Sequence, residues 1–174
     1  MKKAVAALLA LCLMISAAVL AEEAAAPFTI REGITFGMSQ ADLIAALGTT
    51  HYEIDTEDTL IDLVFTEVEV EHTTVNGLRA DVKYILLNDK LFAVHVDYDD
   101  VPGAYDQVKA MLTEKYGEST PTDPAALGAA LYAADDDSKL ENQSECWMSG
   151  NVVILLEKDD NEANVTLADL TAAF

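Results

Sequence analysis

Three histidines, 31 carboxylates and Cys146 are the residues of this 174-residue chain with chemistry to offer. His51, His72 and His95 fall in no H-x-x-x-H or H-E-x-x-H pattern, the spacing that sets two ligands on one helix face. Each lies on an expected loop or an outward strand position, so each reads as a solvated side chain, and no metal site is expected. Cys146 has no histidine near it in sequence to draw off its proton. Beside Trp147 and just before an apolar strand, it reads as a small buried hydrophobe. Ser39 is committed to capping a helix, and no G-x-S-x-G elbow or glycine-rich phosphate loop is present. These residues predict no catalytic group, no cofactor and no enzymatic activity.

The carboxylates are abundant enough that adjacent pairs carry little specificity. Asp97-Tyr98-Asp99-Asp100, Asp135-Asp136-Asp137 and Asp159-Asp160-Asn161-Glu162 are the densest runs. Their oxygens suit calcium, yet none follows the D-x-[DN]-x-[DN]-G loop that wraps one ion. An acidic divalent-cation (calcium) binding protein is therefore the alternative reading. The acids of greater interest alternate. Glu67, Glu69 and Glu71 interleave with Val68 and Val70, so strand geometry holds them as a one-signed stripe on one face. Lys83 and His95 are expected beside them on neighbouring strands. These five residues form the candidate binding surface, matched to a protein partner with a basic patch.

The elements that must position this stripe start with a signal segment. Lys2 and Lys3 precede an apolar run from Ala4 to Val19, and Val19-Leu20-Ala21 has the residue sizes a signal peptidase reads. Residues 1–21 are read as a signal peptide, 22–27 as a linker and 28–174 as one domain. Cys12 lies inside the apolar run behind Leu11, the wrong context for lipidation, and leaves with the signal. Removing Lys2 and Lys3 leaves 8 basic against 31 acidic side chains, a net charge of −23 on the expected mature chain. That charge repels nucleic acid and anionic membrane surfaces. The protein is expected to be exported to the periplasm or beyond the cell, with no stable membrane insertion once the signal is gone.

Ile34 to Gly48 reads as a short strand, a tight turn and a capped helix. Ser39 is the N-cap, and Asp42 stands where it accepts from the cap residue's backbone N–H. Met38 and Leu43 have staple spacing, and Gly48 is the left-handed stop. Residues 49–59 read as an acidic loop with at most a short edge strand near Tyr52. Strands follow over 60–71, 80–87 and 92–98, the last marked by Phe92, Val94, Val96 and Tyr98 at alternate positions. This is a meander with one wet face. A three-residue loop at Asn76-Gly77 pairs Val70 with Val82, Val68 with Tyr84 and Glu69 with Lys83, whereas a two-residue loop would put charge on the core face. A second helix spans Ala104 to Tyr116 with Tyr105, Val108, Met111, Leu112 and Tyr116 as its stripe, stopped by Gly117. Asp123-Pro124 begins a short alanine-rich helix, and three strands lie within 146–167.

The fold class is thus α+β: an antiparallel sheet with two main helices packed on one face. Leu43, Leu47, Val108 and Leu112 should be buried with Val82, Tyr84, Val94 and Val96. Leu47-Gly48 and Tyr116-Gly117, 69 residues apart and each ahead of three strands, suggest an α-βββ duplication.

Phe36-Gly37-Met38-Ser39 with Asp42-Leu43, Leu47-Gly48, Lys115-Tyr116-Gly117 and Trp147 before a late hairpin resembles small exported bacterial helix-plus-meander domains. The named ones are the SmpA/OmlA envelope lipoproteins and the β-lactamase-inhibitor-protein fold. The resemblance implies a helix-on-sheet fold and a role in binding other proteins at the cell envelope. The lipidated cysteine is missing, so membrane anchoring is not implied, and no functional residue carries over. The function expected is that of an exported, non-catalytic protein-binding module.

Overall fold

A computed structural model describes residues 31–58, 63–98, 101–119, 144–159, 162–169 and 171–172. The expected signal peptide and linker, Phe28 to Ile30, residues 60–62 of the first long strand, Asp99-Asp100, the Asp135 run and the helix after Asp123 lie outside them. Seven strands form one antiparallel sheet. They are β1 (Glu53–Asp58), β2 (Val64–Val75), β3 (Leu78–Leu87), β4 (Lys90–Asp97), β5 (Ser144–Ser149), β6 (Val152–Asp159) and β7 (Glu162–Asp169), in the order β1-β2-β3-β4-β7-β6-β5. Helix α1 (Gln40–Leu47) precedes β1, and helix α2 (Ala104–Tyr116) links β4 to β5. The class is α+β, with both helices on one face.

That face holds the core. Leu43 and Leu47 of α1 and Val108 and Leu112 of α2 are buried in one cluster with Val82, Tyr84, Val94 and Val96, as the two periodicities predict. Helix α1 begins at Ser39, whose Oγ accepts from Asp42 N–H at 3.2 Å and donates to Asp42 Oδ2 at 2.7 Å. The carboxylate thus closes on the hydroxyl and not on the cap's backbone N–H. Asp89, from the β3–β4 turn, accepts from Gln40 N–H at 2.8 Å, bringing a second carboxylate to the helix start. Gly48 ends the helix at φ 61°.

Several expectations are corrected. Ile34 to Phe36 is not a strand; the segment is turns, tied to Leu91 by Gly37 N–H to Leu91 O at 2.7 Å and Leu91 N–H to Met38 O at 2.8 Å. The acidic stretch after Tyr52 is a six-residue strand, β1. The order is therefore helix, four strands, helix, three strands. Phe92 does not share a face with Val94. A bulge between Ile85 and Leu86 inserts it on the opposite face, where it meets Phe65 edge-on at 6.3 Å within a second cluster containing Leu87, Ala93 and Ala168.

The β2–β3 hairpin has the expected pairs, Val70 with Val82, Val68 with Tyr84 and Glu69 with Lys83. Its loop, however, has two residues, not three. Val75 pairs with Leu78, and both Asn76 and Gly77 have positive φ, the requirement of a I′ turn. The extra residue sits upstream, where Glu71 and His72 together oppose Asp81. His72 takes φ 53°, and its N–H donates to Asp81 Oδ1 at 2.5 Å. Tight turn and register are thus reconciled by a bulge anchored on one carboxylate.

With β1 set aside, the remaining order β2-β3-β4-β7-β6-β5 is symmetric about the β4–β7 pair. This order by itself does not establish a duplication.

Candidate functional site

Ladder register places side chains across the outer face in rows. One row runs Glu53, Glu69, Lys83, His95, Thr166, Leu155, Cys146; the next runs Asp55, Glu67, Ile85, Ala93, Ala168, Val153, Met148. Four of the five expected surface residues, Glu67, Glu69, Lys83 and His95, therefore share this face. Lys83 Nζ lies 3.5 Å from Glu69 Oε1, a half-exposed pair contributing at most about 1 kcal/mol. Glu71 is exposed but falls in the bulge, where alternation with the ladder ends.

The face is not wet throughout. Glu53, Asp55 and Glu67 are exposed, whereas Thr166, Ala168, Val153, Leu155 and Cys146 are buried on the same side. His95 stands at the boundary, half-buried, with Nδ1 3.1 Å from Thr166 Oγ1. It is a hinge between the two halves of the face and not the freely solvated side chain expected. Strand β6 agrees: its run Val152 to Leu156 is buried at every position, so both faces of the sheet are covered along it.

Two acids of the site, Glu53 and Asp55, were not anticipated. Glu53 stands opposite Glu69 and Asp55 opposite Glu67, so four carboxylates form two like-charged cross-strand pairs. Their signal was the alternation Glu53-Ile54-Asp55-Thr56, obscured by the single apolar residue it contains.

A second polar cluster joins α2 to the edge strand β5. Glu145 Oε1 accepts from Tyr105 OH at 3.1 Å and from Lys109 Nζ, while Oε2 accepts from Ser119 Oγ at 2.5 Å. Burial pushes the Glu145 carboxyl up, but its three donors outweigh this and hold it below the usual range. The Tyr105 hydroxyl is pushed up to about 12 by burial and by Glu145, and Lys158 lies 5.5 Å from the centre of its ring. With three donors converging on it from α2 and the segment after it, this carboxylate clamps the helix to β5. Glu157 has the opposite environment, raised by burial alone.

Cys146 is buried, as expected of a small hydrophobe. Among the described residues no three His, Cys, Asp or Glu side chains stand close enough to hold a metal ion, and no helix is long and apolar enough to cross a membrane. A cavity of about 80 Å³ between α2, β4 and β7, lined by Val96, Tyr98, Val108 and Leu112, is well below the size of ligand clefts.

Fold and surface together define an α+β domain with a half-acidic, half-closed outer sheet face. No protein-family model matches the chain, and neither the curated proteins nor the solved structures contain a match to it. The likeness to the SmpA/OmlA and β-lactamase-inhibitor-protein folds rests on the residue pattern alone.

Proposed function

We propose that this protein is an exported, non-catalytic module that binds another protein through the acidic half of its outer sheet face. The observation that carries the reading is the two-by-two array of Glu53, Asp55, Glu67 and Glu69 on adjacent strands. A strand face needing only solubility has no reason to place like charges directly opposite one another, where they repel. A basic partner relieves that repulsion and is steered to the surface by it. Lys83 and His95 bound the array on its inner side and give the partner a register. Export to the periplasm or the extracellular space is supported by the charged and apolar pattern of residues 1–21.

The test replaces Glu53, Glu67 and Glu69 with glutamine and Asp55 with asparagine together, and compares partner recovery from the source culture at low and high salt. Loss of a partner that the parent retains at low salt and releases at high salt is the expected result, because screening acts beyond about 8–10 Å. Equal recovery by parent and variant, with the fold intact, would reduce the array to a solubilising surface. The calcium-binding alternative draws mainly on the turns around Asp99, Asp135 and Asp160, which lie outside the described residues; calorimetric titration with calcium tests it directly.

A further inference from the structure

Among the described residues, the acidic array ends at an open sheet edge. Strand β1 pairs with β2 on one side only, and no described strand pairs with its other side. Which backbone groups face that open side follows from β2. Val64 O accepts from Asn88 N–H at 2.9 Å, and Val64 N–H donates to Asn88 Oδ1 at 3.1 Å, so Val64 directs both groups toward the β3 side. Thr66, two residues on, does the same. Its partner Thr56 therefore sits in a non-hydrogen-bonded pair and turns its own N–H and C=O outward, as do Ile54 and Asp58. Two contacts agree with this. Thr56 Oγ1 approaches Thr66 Oγ1 at 3.4 Å, and Thr56 N–H donates to the neighbouring Asp55 Oδ1 at 2.9 Å in place of any strand.

Asp55 thus covers the central donor of the edge. Such a cover keeps neutral strands away, a protection edge strands need. It is also an electrostatic latch. A lysine or arginine arriving on the outer face draws the Asp55 carboxylate to itself and leaves Thr56 N–H free to pair. On the other face, Ile54 is 44 % exposed at the rim of the core, ready for an apolar side chain. Basic residues on one face and apolar residues on the other are what alternate positions of one extended segment present.

We propose that the open edge of β1 takes an added strand from the partner, an extended segment in which lysine or arginine alternates with aliphatic residues. This rests on the protein-binding reading above and names the partner's chemistry. The basic side chains pair with Glu53 and Asp55, with Glu67 and Glu69 behind them. The partner's backbone pairs with the outward groups of Ile54, Thr56 and Asp58.

The experiment uses the whole protein and an end-blocked ten-residue peptide of alternating lysine and valine, followed by fluorescence anisotropy and amide hydrogen exchange. Binding at low salt is expected, with slowed exchange at Ile54, Thr56 and Asp58. The same peptide N-methylated at alternate residues, with charge and side chains unchanged, should bind at least tenfold more weakly. Thr56→Pro keeps every carboxylate and removes an outward donor, which an edge strand tolerates, together with the Thr56 hydroxyl on the inner face; it should weaken the unmodified peptide tenfold or more, whereas Thr56→Val, which removes the hydroxyl alone, should not. If the proline variant fails to fold, the N-methylated peptide against the parent gives the answer. No binding, equal binding of both peptides, or unaltered exchange along β1 overturns the added strand. The recovery experiment with the four-residue amide variant reads the acidic face independently, so a partner lost there while the peptides fail separates the failure of edge pairing from failure of the binding role.

Discussion

Glu145 shows how much one side chain can organise. Its donors come from 40, 36 and 26 residues away, so the cluster ties the start and middle of α2, and the segment after it, to β5. Because the folded carboxyl is held below its ordinary value near 4.5, its stabilising contribution is complete above that value and is lost as pH falls through the depressed one. Glu145→Gln should therefore be less stable than the parent by roughly 1–2 kcal/mol at neutral pH, the scale of a charge-assisted hydrogen bond at a partly exposed site. The gap should narrow as the solution is acidified below about pH 4.5, where the unfolded chain's carboxyl takes up a proton, and close once the pH has fallen through the depressed value at which the folded carboxylate does the same. Urea titrations at a series of pH values measure it; a gap that stays constant down to strong acid would remove Glu145 from the role of ionic clamp.

At the scale of elements, α2 carries the larger share of the helical burial over β5, β6 and β7, while α1 closes the core near β4. Leu112 sits 3 % exposed within that interface. Leu112→Ala should cost about 2–5 kcal/mol through lost transfer energy and the cavity left behind. A denaturant midpoint equal to the parent's would contradict the core described here. The β2–β3 hairpin shows how two local rules coexist. Asn76-Gly77 takes the tight I′ turn its residues favour, and the face alternation of Val68, Val70, Val82 and Tyr84 is restored by the bulge at His72. Asp81 holds that bulge through His72 N–H and stands 3.4 Å from His72 Nδ1.

Across the whole molecule the dominant fact is charge. The full sequence carries a net −21, and the expected mature chain −23. On the β1–β2 surface the carboxylates are also set opposite one another, so self-repulsion is both global and local. Raising the salt concentration from about 10 to about 150 mM shortens the screening length from about 30 to about 8 Å and should raise the melting temperature by several degrees. A melting temperature that falls over that interval would mean that attractive pairs such as Glu69–Lys83 and Glu145–Lys109 outweigh the repulsion. The same salt increase should weaken any basic partner, so stability and binding are expected to move in opposite directions.

Local periodicity determined much of this protein. Ser39 and Gly48 bound α1 because a cap hydroxyl and a left-handed glycine act within one helical turn, and the spacing of Val108 and Leu112 alone put α2 on the core. Alternation placed Glu67, Glu69 and Lys83 on one face for the same reason, since side-chain direction in a strand depends only on neighbours. Tertiary structure decided what such short-range rules cannot carry. The continuous run from Val152 to Leu156 fits a strand buried on both faces, but only the β4–β7 pairing set it two strands from His95, so that the acidic and the buried halves of the outer face meet there. Glu53-Ile54-Asp55-Thr56 has too few apolar residues to declare itself a strand; it becomes one because β2 offers a ladder to pair with. The Glu145 clamp was invisible for a related reason: its partners meet only after α2 has crossed from β4 to the far edge of the sheet.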